Sequence, residues 1–364
     1  MFVLHSVMER TPRGVALSVC GDSIKVVQTL DEILTDPAVD LVVVSTPNNT
    51  HYSYCKAALN AGKHGMYCQS RIQLALTAIS SVLVEKPITP TAAEADDLVQ
   101  LAKSRNLILT VYQNRRWDSD FLTVQKLLAS GRLGEINEFE SSYDRYRPLP
   151  SSFQSGVNWK ETPGQNNEVV YSLGSHTIDQ AYVLFGMPHR VGGRLWDTRG
   201  IGVNESFLMD LYYPRPHKSD LVVVLRASIL SPLPSQIRFL IKGSTGSFVK
   251  YGMDAQDLQT LGKSKGASRE GYGEEPKETW GTLYEVKEGG KVLGQDPGVR
   301  YDVSKYESVP GNAPGLYENL YEVLMSGDRS KLVVKPEEAA DVLRLIELGK
   351  KSSIEGRVIL VSED

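Results

Sequence analysis

Short, wholly apolar runs alternate with helical stretches along the first third of the chain, and that alternation leaves few folds open. Asp40–Ser45 (DLVVVS) is a continuous apolar strand of the kind buried on both faces, and Val82–Val84 is another. Phe2–Met8 is a shorter β-rich run, and Leu107–Tyr112 is a further strand. Between them, Thr29–Leu34 is helical, His51–Ala61 is a helix closed by Gly62, and Ala92–Arg105 is a longer one. Strands and helices at this spacing predict βαβ units and a parallel sheet with covered faces.

From about Trp117 the pattern changes. A linking helix over Asp118–Ala129 stops at Gly131, and strands then dominate: Ile136–Tyr143, Glu205–Tyr213, Leu221–Ser228, Gln236–Lys242 and Ser247–Tyr251. One helix, Ser175–Phe185, interrupts them, and Leu316–Met325 and Pro336–Ser352 close the chain. Residues 255–315, rich in Gly, Lys, Glu and Pro with weak periodicity, read as long surface loops. The expectation is two domains: residues 1–116, an incomplete Rossmann-like domain, and residues 117–364, an α+β domain with a large open mixed or antiparallel sheet. A length of 364 residues suits two domains.

Composition excludes several function classes. With 40 basic against 44 acidic residues and no basic run, nucleic acid is not an expected partner. No apolar run reaches the length of a membrane span, and Met1–Arg10 has no signal-peptide pattern. Cys20, Cys55 and Cys68 form no metal-binding spacing, so free thiols, a cytoplasmic location and no metal are expected.

Three clusters carry chemistry. Ser45–His51 (STPNNTH) follows a buried strand and precedes a helix, where open α/β sheets bind ligands. A Pro-Asn turn with Thr50 as N-cap explains the same residues structurally. Glu85-Lys86-Pro87 ends the next strand, and its lysine would reach the same crevice; a surface lysine is the plainer alternative. Leu173–Asp179 (LGSHTID) opens a helix that sets His176 and Asp179 on one face, though a bonded interface histidine accounts for it equally.

In this order the clusters resemble the Gfo/Idh/MocA family, the glucose–fructose oxidoreductase and inositol dehydrogenase relatives. The resemblance extends through DEILTDPA (Asp31–Ala38), AALNAGKH (Ala57–His64), VLVEKPITP (Val82–Pro90), NRRWDSDF (Asn114–Phe121) and GSTGSFVKYG (Gly243–Gly252). It implies an NAD(P)-dependent oxidoreductase acting on a sugar, polyol or related small hydroxy compound, and a homo-oligomer, dimer or tetramer. Lys86 would lie by the nicotinamide and substrate hydroxyl, with His176 as acid/base and Asp179 beside the substrate. Histidine titrates near neutral pH without tuning, which suits that role. Thr46, Pro47, Asn48, His51, Glu85, Asn114, Arg116 and Trp117 would line the cofactor. Glu9 matches the acidic residue for the adenosine ribose, and Arg10 beside it could hold a 2′-phosphate, so the cofactor is NADP or NAD.

Three departures from the family pattern stand out. Glu9 is the ninth residue, whereas its equivalent follows the glycine turn by about 20 residues, so the first strand and that turn are missing. Residues 65–81 (GMYCQSRIQLALTAISS) interrupt the family spacing; a retained intron translated in frame explains them, with a genuine surface insertion as the alternative. Ser172 stands where the family carries an Asp four residues before the histidine, after Gln165-Asn166-Asn167 in a usually glycine-rich stretch. A serine supplies no charge to steady a protonated imidazole. These departures leave open a non-catalytic dinucleotide or sugar sensor, or the inactive product of a faulty gene model.

Overall fold

The computed structural model describes residues 2–11, 14–21, 23–62, 81–149, 162–164, 166–261, 270–294 and 296–363. The insertion at 65–81 therefore falls, but for Ser81, outside the described residues, as do Cys68 and Gln165. Two compact units result: Met1–Tyr112 with Leu316–Ala340, and Gln113–Gly315 with Asp341–Asp364.

The first unit begins with strand β1 (Ser6–Met8), helix α1 (Val15–Cys20), strand β2 (Lys25–Val27) and helix α2 (Leu30–Leu34). It continues through β3 (Leu41–Val44), α3 (His51–Ala61), β4 (Ser81–Val84), α4 (Ala92–Ser104) and β5 (Ile108–Val111). Every pairing is parallel, as the alternation predicts, but the strands form two sheets: β1 with β2, and β3–β4–β5. Helix α2 starts in a capping box in which Thr29 and Glu32 satisfy each other's main-chain amides, and Thr91 with Glu94 does the same for α4. Gly62 closes α3 in the left-handed conformation.

One expectation fails here. Whereas β4 and β5 are buried throughout, β3 pairs with β4 alone and leaves Val43 48% exposed, so DLVVVS is not covered on both faces. Thr50 also does not cap α3 with its side chain; its hydroxyl donates to the Pro47 carbonyl within a 3-10 turn, Asn48–Thr50.

The second unit is built on α5 (Ser119–Ala129), β6 (Ile136–Ser142), α6 (Ser175–Phe185), β7 (Arg190–Trp196), β8 (Ser206–Arg215), β9 (Lys218–Ser228), β10 (Ile237–Gly243) and β11 (Gly246–Tyr251). Then come α7 (Ala255–Leu261), β12 (Thr282–Lys291) and β13 (Tyr301–Lys305). The chain ends in α8 (Gly315–Ser326), which falls almost wholly in the segment returned to the first unit, α9 (Pro336–Glu355), which belongs to the second unit from Asp341 on, and β14 (Ile359–Leu360). Nine strands make one mixed sheet, ordered β13-β12-β11-β10-β6-β9-β8-β7-β14, in which only β6 and β9 run parallel.

One face of this sheet is a packed core. Phe207, Met209, Leu211, Val223 and Leu225 are fully buried there, and Gly193 lets β7 approach α9 so closely that a Cβ would lie 2.1 Å from the Gly349 carbonyl oxygen. The other face is open, with Trp196, Tyr284, Val286 and Val303 exposed. The expectation of loops over 255–315 is overturned: α7, β12 and β13 lie there. Their periodicity is weak because β12 and β13 sit at the sheet's margin, held by ladder hydrogen bonds with Leu283 alone of β12 buried. Among the described residues no helix is long and apolar enough to cross a membrane.

Candidate functional site

In the first unit the chemistry-bearing residues stand at the carboxyl ends of parallel strands. Glu9 follows β1, Ser45–Thr50 follows β3, and Glu85–Pro90 follows β4. His51, wholly buried, ties two of these loops together: Nδ1 lies 2.7 Å from the Pro87 carbonyl oxygen and Nε2 2.9 Å from that of Thr46. The first two sequence clusters therefore converge, and His51 does this by spending both ring nitrogens on main chain. Thr46 and Thr50 hydroxyls meet at 2.6 Å.

Glu85 and Lys86 are half-buried. Burial pushes the Glu85 carboxyl above its usual range, against the pull of the neighbouring Lys86 ammonium, of the Lys86 amide and of His51. Glu9 is half-buried and accepts the Ala16 amide at 2.6 Å, at the start of α1, while Arg10 is exposed.

In the second unit His176 lies 5% exposed in the first turn of α6. A π-helical turn, Val170–Gly174, runs straight into that helix, a feature that often marks functional helices because it re-aims the residues after it. Ser172 sits in this turn and donates to the Val169 carbonyl. Asp179 shares the helix with His176, but its two oxygens are met by Arg116 through Nε at 2.9 Å and Nη2 at 2.7 Å, with both side chains buried. Two residues assigned from sequence to cofactor and substrate thus hold each other. Asn114 and Trp117 are half-buried in the 3-10 turn that also carries Arg116.

Around this helix lies a network that the sequence clusters do not contain. The guanidiniums of Arg115, Arg145 and Arg238 surround the Tyr143 ring at 4.9, 5.0 and 5.0 Å from its centroid. Gln180, one turn beyond His176, accepts from Arg238 and donates to the Arg115 carbonyl. Asp257 receives Arg115, Arg145 and the Tyr143 hydroxyl. Asp118, Asp120 and Asp254 gather with one oxygen each inside 4.8 Å, against Arg115 and Arg238. Burial raises the Asp118 and Asp254 carboxyls, Asp254 to about 6, and neighbouring carboxylates add to it. The string Tyr143–Pro148 (YDRYRP) is the visible signal for part of this network; Asp257 falls in the weakly periodic stretch 255–315, and Asp254 immediately precedes it.

A parallel-sheet unit with ligand-facing loops at its strand ends, followed by a unit built on a large open sheet, is the architecture of a two-domain dinucleotide-binding protein. Residues 4–67 and 69–113 match the oxidoreductase family with an NAD-binding Rossmann fold, and residues 121–249 match the GFO/IDH/MocA C-terminal domain. The chain belongs to the Gfo/Idh/MocA family. It is 39% identical over 349 residues to an oxidoreductase of Schizosaccharomyces pombe, covering 94% of this chain and 86% of that one. It is 33% identical over 337 residues to scyllo-inositol 2-dehydrogenase (NADP(+)) IolW of Bacillus subtilis, covering 93% and 83%. The solved structure of the oxidoreductase YvaA of Bacillus subtilis superimposes with a TM-score of 0.82 at 33% identity, covering 99% of this chain and 91% of that one.

The family's cofactor is a nicotinamide dinucleotide, and the donor set in the first unit suits one. A hydroxyl and main-chain groups at Thr46, a carboxylate at Glu85 and an ammonium at Lys86 gather where β3 and β4 end, bridged by His51. Thr46, Pro47, Asn48, Glu85 and Lys86 would hold the nicotinamide half, and Glu9 and Arg10 the adenosine half. The bound group would supply the hydride acceptor or donor.

Proposed function

We propose that this chain moves a hydride between NADP or NAD and a sugar, polyol or related hydroxy compound. The observation that carries the reading is the bridge made by His51, which gathers Thr46 and the Lys86-Pro87 segment at the ends of adjacent parallel strands. In this reading Lys86 steadies the reacting hydroxyl beside the nicotinamide. His176 takes the hydroxyl proton as the hydride leaves the same carbon, leaving a carbonyl. Asp179 acts through Arg116 rather than on the substrate. Glu9 already spends an oxygen on Ala16 while Arg10 stays exposed, which favours NADP. The open face of the nine-stranded sheet would seat a second copy of the chain, and three scattered cysteines suit a reducing compartment such as the cytoplasm.

A second reading, binding without turnover, is favoured by Ser172, whose hydroxyl turns back on Val169 and brings no charge toward His176. Fluorescence titration with NADPH and NADH, followed by turnover on a panel of polyols, separates the two. The expected result is tighter NADPH binding and turnover that falls at least about 100-fold in Lys86→Ala and in His176→Ala, the usual worth of a positioned acid or base. Turnover unaffected by either substitution would overturn the catalytic reading, and binding with no turnover in the unaltered chain would favour the second.

A further inference from the structure

Beyond β6 the chain runs alongside the end of β9, donating from the amides of Tyr143, Arg145 and Arg147 to the carbonyls of Arg226, Ser228 and Ile229. This sets Arg145 and Arg147 two residues apart at one end of the sheet. Arg199 joins them, with Nη1 donating to the Arg147 carbonyl at 2.9 Å. Two of the three guanidiniums are neutralised: Arg145 by Asp257, and Arg199 by a bidentate, buried pair with Glu205. Arg147 is different. Its residue is exposed, and among the described residues no carboxylate lies within ion-pair distance of its guanidinium. Partial burial disfavours its charge, and the Arg145 and Arg199 cations push the same way, against Tyr143 and Asp257. Of these three guanidiniums it alone has no carboxylate at ion-pair distance among the described residues, so an added anion would meet a charge that is not already offset.

The location ties this charge to the histidine helix. Val169, at the start of the π-helical turn, donates to Asn204, and Gly174 lies so near the Phe207 ring that a Cβ would stand 3.2 Å from it. Phe207 pairs with Ala227, and Ile229 donates to Glu205, the partner of Arg199. The start of α6 and the three arginines therefore share one end of strands β8 and β9.

We infer that Arg147 is the recognition point for an anionic group, so that the hydroxy compound handled at this site carries a carboxylate or phosphate, as an aldonate, a uronate or a sugar phosphate does. This rests on the oxidoreductase reading above. A guanidinium grips a planar carboxylate or a phosphate through two parallel bonds, which a neutral polyol cannot match in charge.

The test is calorimetric titration of the full chain, and of Arg147→Ala and Arg147→Lys, with glucose, gluconate, glucose 6-phosphate and inorganic phosphate, with thermal melts confirming that each variant folds. At least one anionic sugar should bind ten-fold or more tighter than glucose and weaken with added salt. Arg147→Ala should erase that advantage, Arg147→Lys should restore part of it, and glucose binding should stay unchanged. Gluconate against glucose 6-phosphate tells carboxylate from phosphate, and inorganic phosphate binding as tightly as the sugars would show an adventitious ion only and overturn the proposal. Equal affinity for anionic and neutral sugars, or anion binding indifferent to Arg147, would also overturn it. The outcomes separate from those of the catalytic reading. Anion binding indifferent to Arg147, alongside turnover that Lys86→Ala abolishes, sinks the anion site alone. Arg147-dependent anion binding with no effect of Lys86→Ala on any turnover sinks the catalytic reading alone.

Discussion

Replacing Asp179 by alanine separates two roles for this residue. If Asp179 served chiefly to contact substrate, its loss would raise KM and leave the fold as stable as before. The structure gives it other work: its carboxylate receives Arg116 through two bonds at 2.9 and 2.7 Å, and the two side chains are only 2% and 6% exposed. Asp179→Ala leaves a guanidinium buried with its carboxylate gone, a loss of about 3–5 kcal/mol for breaking such a pair from one side. At roughly 2–4 °C per kcal/mol for a domain of this size, the melting temperature should fall by about 6–20 °C. Urea unfolding followed by tryptophan fluorescence should show the same loss through a lower midpoint and an unchanged slope, since Trp117 and Trp196 both belong to this unit. Activity should fall as well, through kcat more than KM, because Arg116 and the turn bearing it lose their anchor on the helix of His176. A variant within about 1 kcal/mol of the parent that is impaired in KM alone would refute the positioning role and return Asp179 to the substrate.

Gly193→Ala should destabilise the second unit by about 1–3 kcal/mol, because its new methyl would stand 2.1 Å from the Gly349 carbonyl and one backbone must yield. Gly192→Ala, whose Cβ would meet Asp210 at an ordinary 3.6 Å, is the control; equal melting temperatures for the two would be against the reasoning. Asp254 gives a pH dependence. Its carboxyl is raised from 3.8 to about 6, burial being the main cause and the Asp120 charge the next. It therefore binds its proton more tightly folded than unfolded. That contribution favours the fold below about pH 4 and is lost as pH rises through about 6, a span of about 2–3 kcal/mol at roughly 1.4 kcal/mol per pH unit. Stability of Asp254→Asn measured by urea titration between pH 4 and 7 should lack this decline, and a curve parallel to the parent's would count against it.

What the sequence made legible follows from how each element is stabilised. Buried strands and amphipathic helices announce themselves, because their residues are chosen by the face they bury: β4, β5, α3, α6 and the capping-box starts of α2 and α4 all fall where the pattern sets them. The β12–β13 margin escaped because ladder bonds rather than burial hold it, and a run such as EVKEGGK carries no apolar period. Helix α1 and strand β2 escaped because they are short and mostly exposed. For the site, the positions of Thr46 and Lys86 were readable as strand ends. The Arg116–Asp179 pair was not, because its partners lie 63 residues apart and each has a separate functional meaning.

The division of the first unit's strands into two sheets bears on how cofactor affinity should be distributed. In the proposed reading the nicotinamide half of the site would rest on β3 and β4, four ladder pairs in register, with His51 locking the loops that follow them. The two loops are bonded to each other through His51, although β3 itself pairs on one side only. The adenosine half would rest on β1, three residues long and paired only with β2 among the described residues, where Glu9 already accepts the Ala16 amide at the start of α1. Helix α2 packs against β1, β2 and α3, and α3 against β3 and β4, so a helical layer rather than a continuous ladder joins the two halves. A ladder hydrogen bond fixes spacing to a fraction of an ångström, whereas helix packing tolerates small slides. On that reading the alignment of the reacting ring would be the better determined of the two, and the grip on the far end of the dinucleotide the weaker. Substitutions at Lys86 should consequently show in turnover, and those at Glu9 and Arg10 in affinity.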